Sequence, residues 1–573
     1  MKNWKIKEDV PEDVVNELLS YPTLTKHLLY HRGIKTGRDA EKFLNPQYAD
    51  LHDPFLILNM DRAVDRVLAA IKNNERVTVY ADYDCDGIPG AVVLHDFFTK
   101  IGYTNFSVYI PHRYKEGYGL NIPAVEQIAS EGTKLLITVD TGITDVAQVD
   151  RANELGMDVI ITDHHLTQEK VPAAYTILNS KQAEDKYPYN MLCGAAVAFK
   201  LVQALIKKGG FDIGDGWEKW LLDAVGISTI ADMVPLDGEN RVLATCGLKV
   251  LRKTRRPGLV SLFYKTRVNQ PDLAEDDIGF TVAPHINAAS RMGEPLMGFR
   301  FLSTSDPAEA ETLATYLGSK NTERKSAVSW IISEAEEAVK LTPADSRVVV
   351  VGNDKWLPGV VGLAAAKISE KYKKVAFVWG REGTSMIRGS CRSDGFINMV
   401  SLMEAVGKDF FSDFGGHALA GGFSVVEDKI HKLQDKLNEV YQNLTGGCGP
   451  DDNQDISIDA KLMLDDVNWK TYSQIEKLAP YGTGNPKPLF LLEGVSAFNT
   501  RWFGADGNHV ALDFRKGDGS IISALAFGAA NAGFEEGVFS PNCLVDMVVT
   551  LEKSYFKNRP ELRMRIIDIK KSF

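Results

Sequence analysis

What this 573-residue chain lacks narrows its class before any motif is read. Its six cysteines, at 85, 193, 246, 391, 448 and 543, include no Cys-x-x-Cys pair, so neither a zinc knuckle nor a disulfide framework is signalled. No stretch approaches the ~18 apolar residues of a membrane span. The first residues, Met1-Lys-Asn-Trp-Lys-Ile-Lys-Glu8, hold no apolar signal-peptide core. A cytoplasmic protein without membrane association is the expectation. Net positive charge is missing too: 65 Lys and Arg against 76 Asp and Glu leave −11. That argues against a generally basic coat for nucleic acid, while a local basic groove stays possible. Internal repeats and low-complexity tracts are absent.

What is present is three short acidic segments, each ending an apolar run. Asp82-Tyr-Asp84-Cys-Asp86-Gly87 follows Val77–Ala81, Asp140-Thr-Gly142 follows Leu135–Val139, and Asp163-His164-His165 follows Val159–Thr162. Short β-branched runs alternating with helix-like stretches read as parallel strands of an α/β sheet. Ligand sites in such sheets collect at the carboxyl ends of the strands, so the three segments can converge. Five Asp and two His brought together repel unless cations lie between them. Taken singly, an Asp after a strand is more often a helix cap or turn than a ligand. All three in order, with Asp232 following at the end of an apolar helix, favour a metal site. Carboxylates suit Mg²⁺ and Mn²⁺, imidazole suits Mn²⁺ better than Mg²⁺, and a carboxylate shared by two ions suits phosphate-ester hydrolysis.

Length predicts roughly three or four domains. Residues 1–75 read as a helical region, 76–300 as the strand–helix unit with the acidic segments, and 301–344 as a long connecting helix. The helix would start at Asp306-Pro307, with Glu309 completing a capping box. Residues 345–450 read as a second α/β lobe, and Thr445–Gln454 as a linker. Residues 451–573 read as a small β domain, with five apolar runs that suit an OB-like barrel. Lys249–Arg256 is a basic helix end, either lining a nucleic-acid path or solvated. Trp502, Phe503 and Phe514 are candidate stacking platforms, Phe514 being the better fit to a core.

The four motifs Asp82–Gly87, Val139–Ile143, Asp163–His165 and Ala231–Pro235 resemble those of the DHH phosphoesterase family. Arg32-Gly-Ile34, Phe43–Pro46, Arg113–Gly119, Ile286–Arg291, Gly389–Ser393, Gly415–Phe423 and Pro480–Pro486 extend the resemblance to its single-strand-specific 5′→3′ DNA exonucleases over nearly the whole chain. The resemblance implies a DHH-type parallel-sheet catalytic lobe and a DHH-associated α/β lobe, joined by the long helix and followed by the OB-like barrel. It implies two Mn²⁺ or Mg²⁺ ions, one held by Asp84, Asp140, His164 and Asp232, the other by Asp82 and a bridging Asp140. His165 would act at the scissile phosphate, with Asp163 and Asp86 in support. Arg113, Arg291, Ser390, Arg392 and His417 would bind DNA phosphate. Hydrolysis would release 5′-mononucleotides during DNA repair and recombination. Single-stranded DNA is the implied partner of a monomer, with a single-strand DNA-binding protein and a RecQ-type helicase as associates.

Two rivals come from the same family: a phosphoesterase acting on nanoRNA or cyclic dinucleotides, and a non-catalytic DNA-binding scaffold. The first generally lacks the amino-terminal and OB-like regions, and the second has a decayed site, whereas all inferred ligands stand here. The chain departs from the family at Ile88-Pro89-Gly90, where a hydroxyl residue is usual, and at His285, Ser290 and Cys391. None is an inferred ligand.

Overall fold

A computed structural model describes residues 3–343, 345–381, 386–446, 448–449, 455–504, 506–555 and 559–572. Most of the expected linker at 445–454 lies outside the described residues.

The first lobe is built on five parallel strands, β1 (Val77–Ala81), β2 (Phe106–Tyr109), β3 (Leu135–Val139), β4 (Asp158–Thr162) and β5 (Thr176–Leu178), in the order β2-β1-β3-β4-β5. The apolar runs are continuous because both sheet faces are covered. Val77, Val79, Leu135, Ile137 and Ile160 pack into one core with the helices Met60–Lys72, Gly87–Lys100 and Gly194–Gly209. Tyr80, Leu136, Val159 and Ile161 point the other way, onto Ile122–Ser130 and Val146–Glu154. Arg256, at the end of the basic stretch, is no part of a nucleic-acid path. It is buried between Asp96 and Asp223, 2.7 Å from each.

The helix Pro307–Lys340 spans 34 residues, about 50 Å at 1.5 Å per residue. Leu313, Ala314 and Leu317 near its start belong to the core of the first lobe, while Ile331, Ala335 and Val339 near its end belong to the core of the next lobe. Asp306 caps it through the Ala308 amide, as expected. The capping box does not form, because Glu309 turns instead to Arg300 and Thr304.

The second lobe has five strands, β6 (Val348–Asn353), β7 (Val375–Gly380), β8 (Ile387–Arg392), β9 (Phe411–Gly416) and β10 (Ala420–Val425), in the order β9-β10-β8-β7-β6. Only β6 and β7 are parallel. The C-terminal region forms a mixed seven-stranded sheet rather than the five strands expected. Asn499–Phe503 was missed because its alternation is polar and exposed, and Ala460–Lys461 because it is two residues long. Trp4–Ile6 pairs in parallel with Ile456–Ile458, tying the amino terminus to this domain. Among the described residues no helix is long and apolar enough to cross a membrane.

Candidate metal centre and nucleic-acid cleft

Strand order runs outward from the β1–β3 pair in both directions, and in open α/β sheets that switch point opens a crevice at the carboxyl ends of the strands. Asp82 directly follows β1, Asp140 follows β3 and Asp163 follows β4. Each is anchored by its own amide to the neighbouring strand's end: Asp82 to Val139 (3.1 Å), Asp140 to Thr162 (2.9 Å), Asp163 to Leu178 (3.1 Å). Two glycines allow the approach of helices to these turns. A Cβ at Gly87 would lie 2.3 Å from the Asp82 carbonyl oxygen, and one at Gly194 2.6 Å from the Asp140 Cβ. Asp140 itself is left-handed at φ 59°, a strained state for a non-glycine residue that surrounding structure must hold.

The acidic groups divide by what already satisfies them. Asp86 accepts from the amides of Gly194 (2.6 Å) and Ala195 (2.8 Å) at the start of Gly194–Gly209, and from Ser228 Oγ. Asp163 accepts from the His164 and His165 amides, from His165 Nδ1 (2.8 Å) and from the Ile143 amide (3.0 Å). Asp84 Oδ1 takes the amides of Asp86 and Gly87. By contrast Asp82 Oδ1, Asp140 Oδ1 and His164 Nδ1 are buried with no hydrogen-bond partner. Buried polar atoms are rarely left so, and divalent cations would answer the deficit of the two carboxylate oxygens; His164 turns its Nε2 to the cluster, 3.2 Å from Asp140 and 3.7 Å from Asp232. Potential ligand atoms within 4.8 Å of one another form three groups: Asp82, Asp84 and Asp140; Asp86, His164 and Asp232; Asp140, His164 and His165. Asp140 and His164 each belong to two of these, and of the two only the carboxylate, with two oxygens, suits a bridging role. Here Asp84 groups with Asp82, and Asp86 with His164 and Asp232.

Charge follows the same division. Burial and neighbouring carboxylates push Asp82 and Asp140 well above the ordinary carboxylate range, and raise Asp232 to about 9. Burial would also raise Asp163, but hydrogen bonding and charge from His165 hold it below its usual value. His165 is lowered by burial and raised further by Asp163, with a net rise. With no thiolate among the donors and carboxylate oxygen predominating, the set fits Mg²⁺ or Mn²⁺.

Around this centre lie the residues expected to meet phosphate. Arg113 sits over the Tyr83 ring, 4.7 Å from its centroid. Arg291 donates to the Gly359 carbonyl (2.9 Å), and burial with the nearby Arg113 pulls its guanidinium down to about 9. Arg392 and Ser390 stand on β8, facing Gly362 of the helix Pro358–Tyr372, where a Cβ would lie 3.1 Å from Ser390 Oγ. His417 occupies the β9–β10 turn and stacks on His165 across the lobes. The eight expected Asp and His residues thus form one buried cluster, with Arg113, Arg291 and His417 beside it and Ser390 and Arg392 on the facing strand.

Sequence reasoning missed others. Arg388 precedes Ser390 and Arg392 by the period of two that puts strand residues on one face, a signal that was available. Arg324, on the long helix, also adds positive charge near Arg291. Tyr118, in the quoted Arg113–Gly119 segment, directs its hydroxyl to the Asp140 carbonyl (3.4 Å) and stands 3.3 Å from His165 Nδ1. Lys181 is half-buried beside Asp232 and Asp163, with no motif to mark it. The departures from the family pattern leave the cleft untouched. Pro89 is buried in the first turn of Gly87–Lys100, and Cys391 is buried against Met403. Ser290 bonds the Asn287 carbonyl and His285 the Thr281 carbonyl.

On the C-terminal sheet Phe514 is fully buried and serves the core, as the sequence favoured. Trp502 is half-exposed. Phe503, His509 and Phe527 form a mutually edge-on triangle with centroids 5.3, 5.4 and 6.2 Å apart, and Arg565 lies over Phe527.

Comparison with known proteins accounts for most of the chain. Residues 76–229 match the DHH family N-terminal domain, 345–443 the DHHA1 domain and 458–568 the RecJ OB domain. The single-stranded-DNA-specific exonuclease RecJ of Bacillus subtilis is 35% identical over 569 residues, 99% of this chain and 70% of that protein. RecJ of Escherichia coli is 30% identical over 486 residues, 82% of this chain and 83% of that protein. Among solved structures, RecJ of Thermus thermophilus in complex with Mn²⁺ superposes with a TM-score of 0.82 at 25% identity. That match covers 100% of this chain and 80% of that one. A Mg²⁺ complex of the same protein shares the fold, with a TM-score of 0.76 at 24% identity.

Proposed function

The chain belongs to the RecJ family of single-stranded-DNA-specific exonucleases, and from that premise we propose that it removes nucleotides from the 5′ end of single-stranded DNA at the β1–β3 switch point. It is a metal-dependent hydrolase of the DHH type, working with Mn²⁺ or Mg²⁺. The observation that carries the reading is the pair of unsatisfied buried carboxylate oxygens, Asp82 Oδ1 and Asp140 Oδ1, with His164 Nε2 3.2 Å from Asp140 and with Arg113 and Arg291 of the same lobe and Arg392 of the opposite one nearby.

Asp82, Asp84, Asp140, His164 and Asp232 would hold the ions, with Asp140 shared. Held there, ions would supply activation of water and neutralisation of charge on the phosphate oxygens. The chain's own part is positioning and proton control. Asp163 spends both oxygens on its surroundings, which fixes the His165 ring by Nδ1 and leaves Nε2 for the substrate. Because Asp163 favours the protonated ring, His165 donates to the scissile phosphate or to the departing 3′ oxygen. Asp86 holds the loop that carries Asp82 and Asp84 to the start of Gly194–Gly209. Arg113 and Arg392 both lie close enough to repel Arg291, so a phosphate beside it would relieve that repulsion as well as forming forked hydrogen bonds. Ser390 and His417 add neutral donors. In the C-terminal domain, Phe503, His509 and Phe527 offer faces on which unpaired bases stack.

We also place the protein in the cytoplasm as a monomer, with a single-strand DNA-binding protein and a RecQ-type helicase as associates; the family resemblance supports these. The test uses Mn²⁺ and two labelled single strands, one blocked at each end. Release of 5′-mononucleotides only from the strand with a free 5′ end, lost in Asp140→Ala, is the expected result. Degradation from the 3′ end would reject the polarity, and no release from either would reject the activity.

A further inference from the structure

The segment Pro480–Pro486, at the threshold of the C-terminal β domain, packs directly behind the loop that carries Asp232. The Leu236 amide donates to the Thr483 carbonyl at 2.7 Å. Two glycines permit this closeness: a Cβ on Gly482 would meet Leu236 Cδ1 at 2.8 Å, and one on Gly484, at φ 75°, would meet Pro235 at 3.2 Å. The turn itself is closed by paired hydrogen bonds between Gly482 and Asn485. Asn485, 1% exposed, fastens it by donating to the Leu478 and Pro480 carbonyls, 2.8 Å each. Arg32 of the amino-terminal region then clamps Asn485 Oδ1 and the Pro486 carbonyl, both at 2.7 Å.

The Asp232 loop needs such a brace. Met233 is left-handed at φ 59°, a conformation that persists only where the surroundings impose it. Its side chain is 70% exposed and anchors nothing. What fixes the loop beyond it is Pro235, whose carbonyl accepts from Tyr189 and Asn240, and Leu236, 2% exposed and held by Thr483.

We propose that the Gly482–Asn485 turn, locked by Arg32, is a positioning element of the metal centre: it holds Asp232 in place through Leu236 and so couples ion binding to the domain that grips DNA. The proposal rests on the reading of Asp232 as a metal ligand. It assigns Arg32 and Asn485 a role that neither could fill by contact with substrate or ion. By linkage the coupling is reciprocal, so ions bound at the centre also steady the turn.

The experiment titrates Mn²⁺ into the full-length protein, following free Mn²⁺ by electron paramagnetic resonance, for wild type, Gly484→Ala and Asn485→Ala. Each variant is expected to bind Mn²⁺ on the order of tenfold more weakly. Its affinity for single-stranded oligothymidylate in EDTA should stay near wild type, even where the loss of the buried Asn485 hydrogen bonds lowers its melting temperature. Unchanged Mn²⁺ affinity, or a loss of Mn²⁺ and DNA affinity in step with a lowered melting temperature, overturns the proposal. Wild-type protein gives an independent reading should the variants not fold: Mn²⁺ is expected to slow amide hydrogen exchange in 480–486, and no slowing overturns the coupling. Wild type that binds no Mn²⁺ at all overturns the metal reading, and the proposal with it.

Discussion

The imidazoles of His165 and His417 lie parallel, 8° between planes and 6.0 Å between centroids, one on each side of the interlobe cleft. Asp163 favours a proton on His165, whereas burial and the nearby His165 and Lys181 charges lower His417. The two rings are thus biased in opposite directions, His165 toward its charged form and His417 toward its neutral one.

His417→Ala should raise KM for 5′-phosphorylated single strands about tenfold. A hydrogen bond to a charged group contributes roughly 1.5–3 kcal/mol. Mn²⁺ uptake should not change, because His417 reaches no ligand. Steady-state kinetics with a parallel metal titration separates the two, and weakened Mn²⁺ binding would remove His417 from the substrate side.

Asp140→Asn should abolish hydrolysis, by about a thousandfold or more given the several kcal/mol that metal ions supply. The same change should not lower, and should tend to raise, the melting temperature in EDTA, since Asp140 is buried among like charges. A variant destabilised in EDTA would show that Asp140 is held by partners other than ions.

Mn²⁺ binding should release protons. Without ions the site carboxylates are pushed up, Asp232 to about 9, so protons occupy the site at neutral pH and ions displace them. Apparent affinity therefore rises with pH. Titration calorimetry in two buffers of different ionisation enthalpy should give different heats; equal heats would mean the carboxylates are already ionised.

The buried Asp96–Arg256–Asp223 group predicts the acid limb of stability. Burial alone would raise Asp96, but Arg256 and His95 hold it below its usual range. A carboxyl depressed in the folded state contributes stability that is fully present above the unfolded pKa of about 3.9 and is lost as pH falls from there through the lower folded-state value. Denaturant midpoints should drop less steeply below pH 5 in Asp96→Asn than in wild type. Asp96→Ala should cost roughly 1.5–3 kcal/mol at neutral pH by removing one of the two carboxylates that pair with buried Arg256. Parallel midpoint curves would dismiss Asp96 as a source of that slope.

How far the sequence reached is visible in particular residues. The parallel strands were legible because β-branched runs buried on both faces have one local reading, and Pro307–Lys340 because its start carries Asp306-Pro307. Glu309 was misread as a capping partner, since its choice of Arg300 depends on a helix that ends several residues earlier. Asn499–Phe503 escaped because an exposed edge strand carries no hydrophobic alternation.

The sequence by itself determined which side chains can bind ions and where on the strands they stand, because residue type and the order of strand and turn are local properties. Only the tertiary structure decided which of those carboxylates are free. Asp86 and Asp163 look as available as Asp82 and Asp140 in the sequence. The amides that satisfy Asp86 come from Gly194 and Ala195, 108 and 109 residues away. The brace behind Asp232 comes from Thr483, and the ring facing His165 from His417. Satisfaction of a buried charge is a sum over neighbours, and neighbours so distant in the chain are assigned by packing alone.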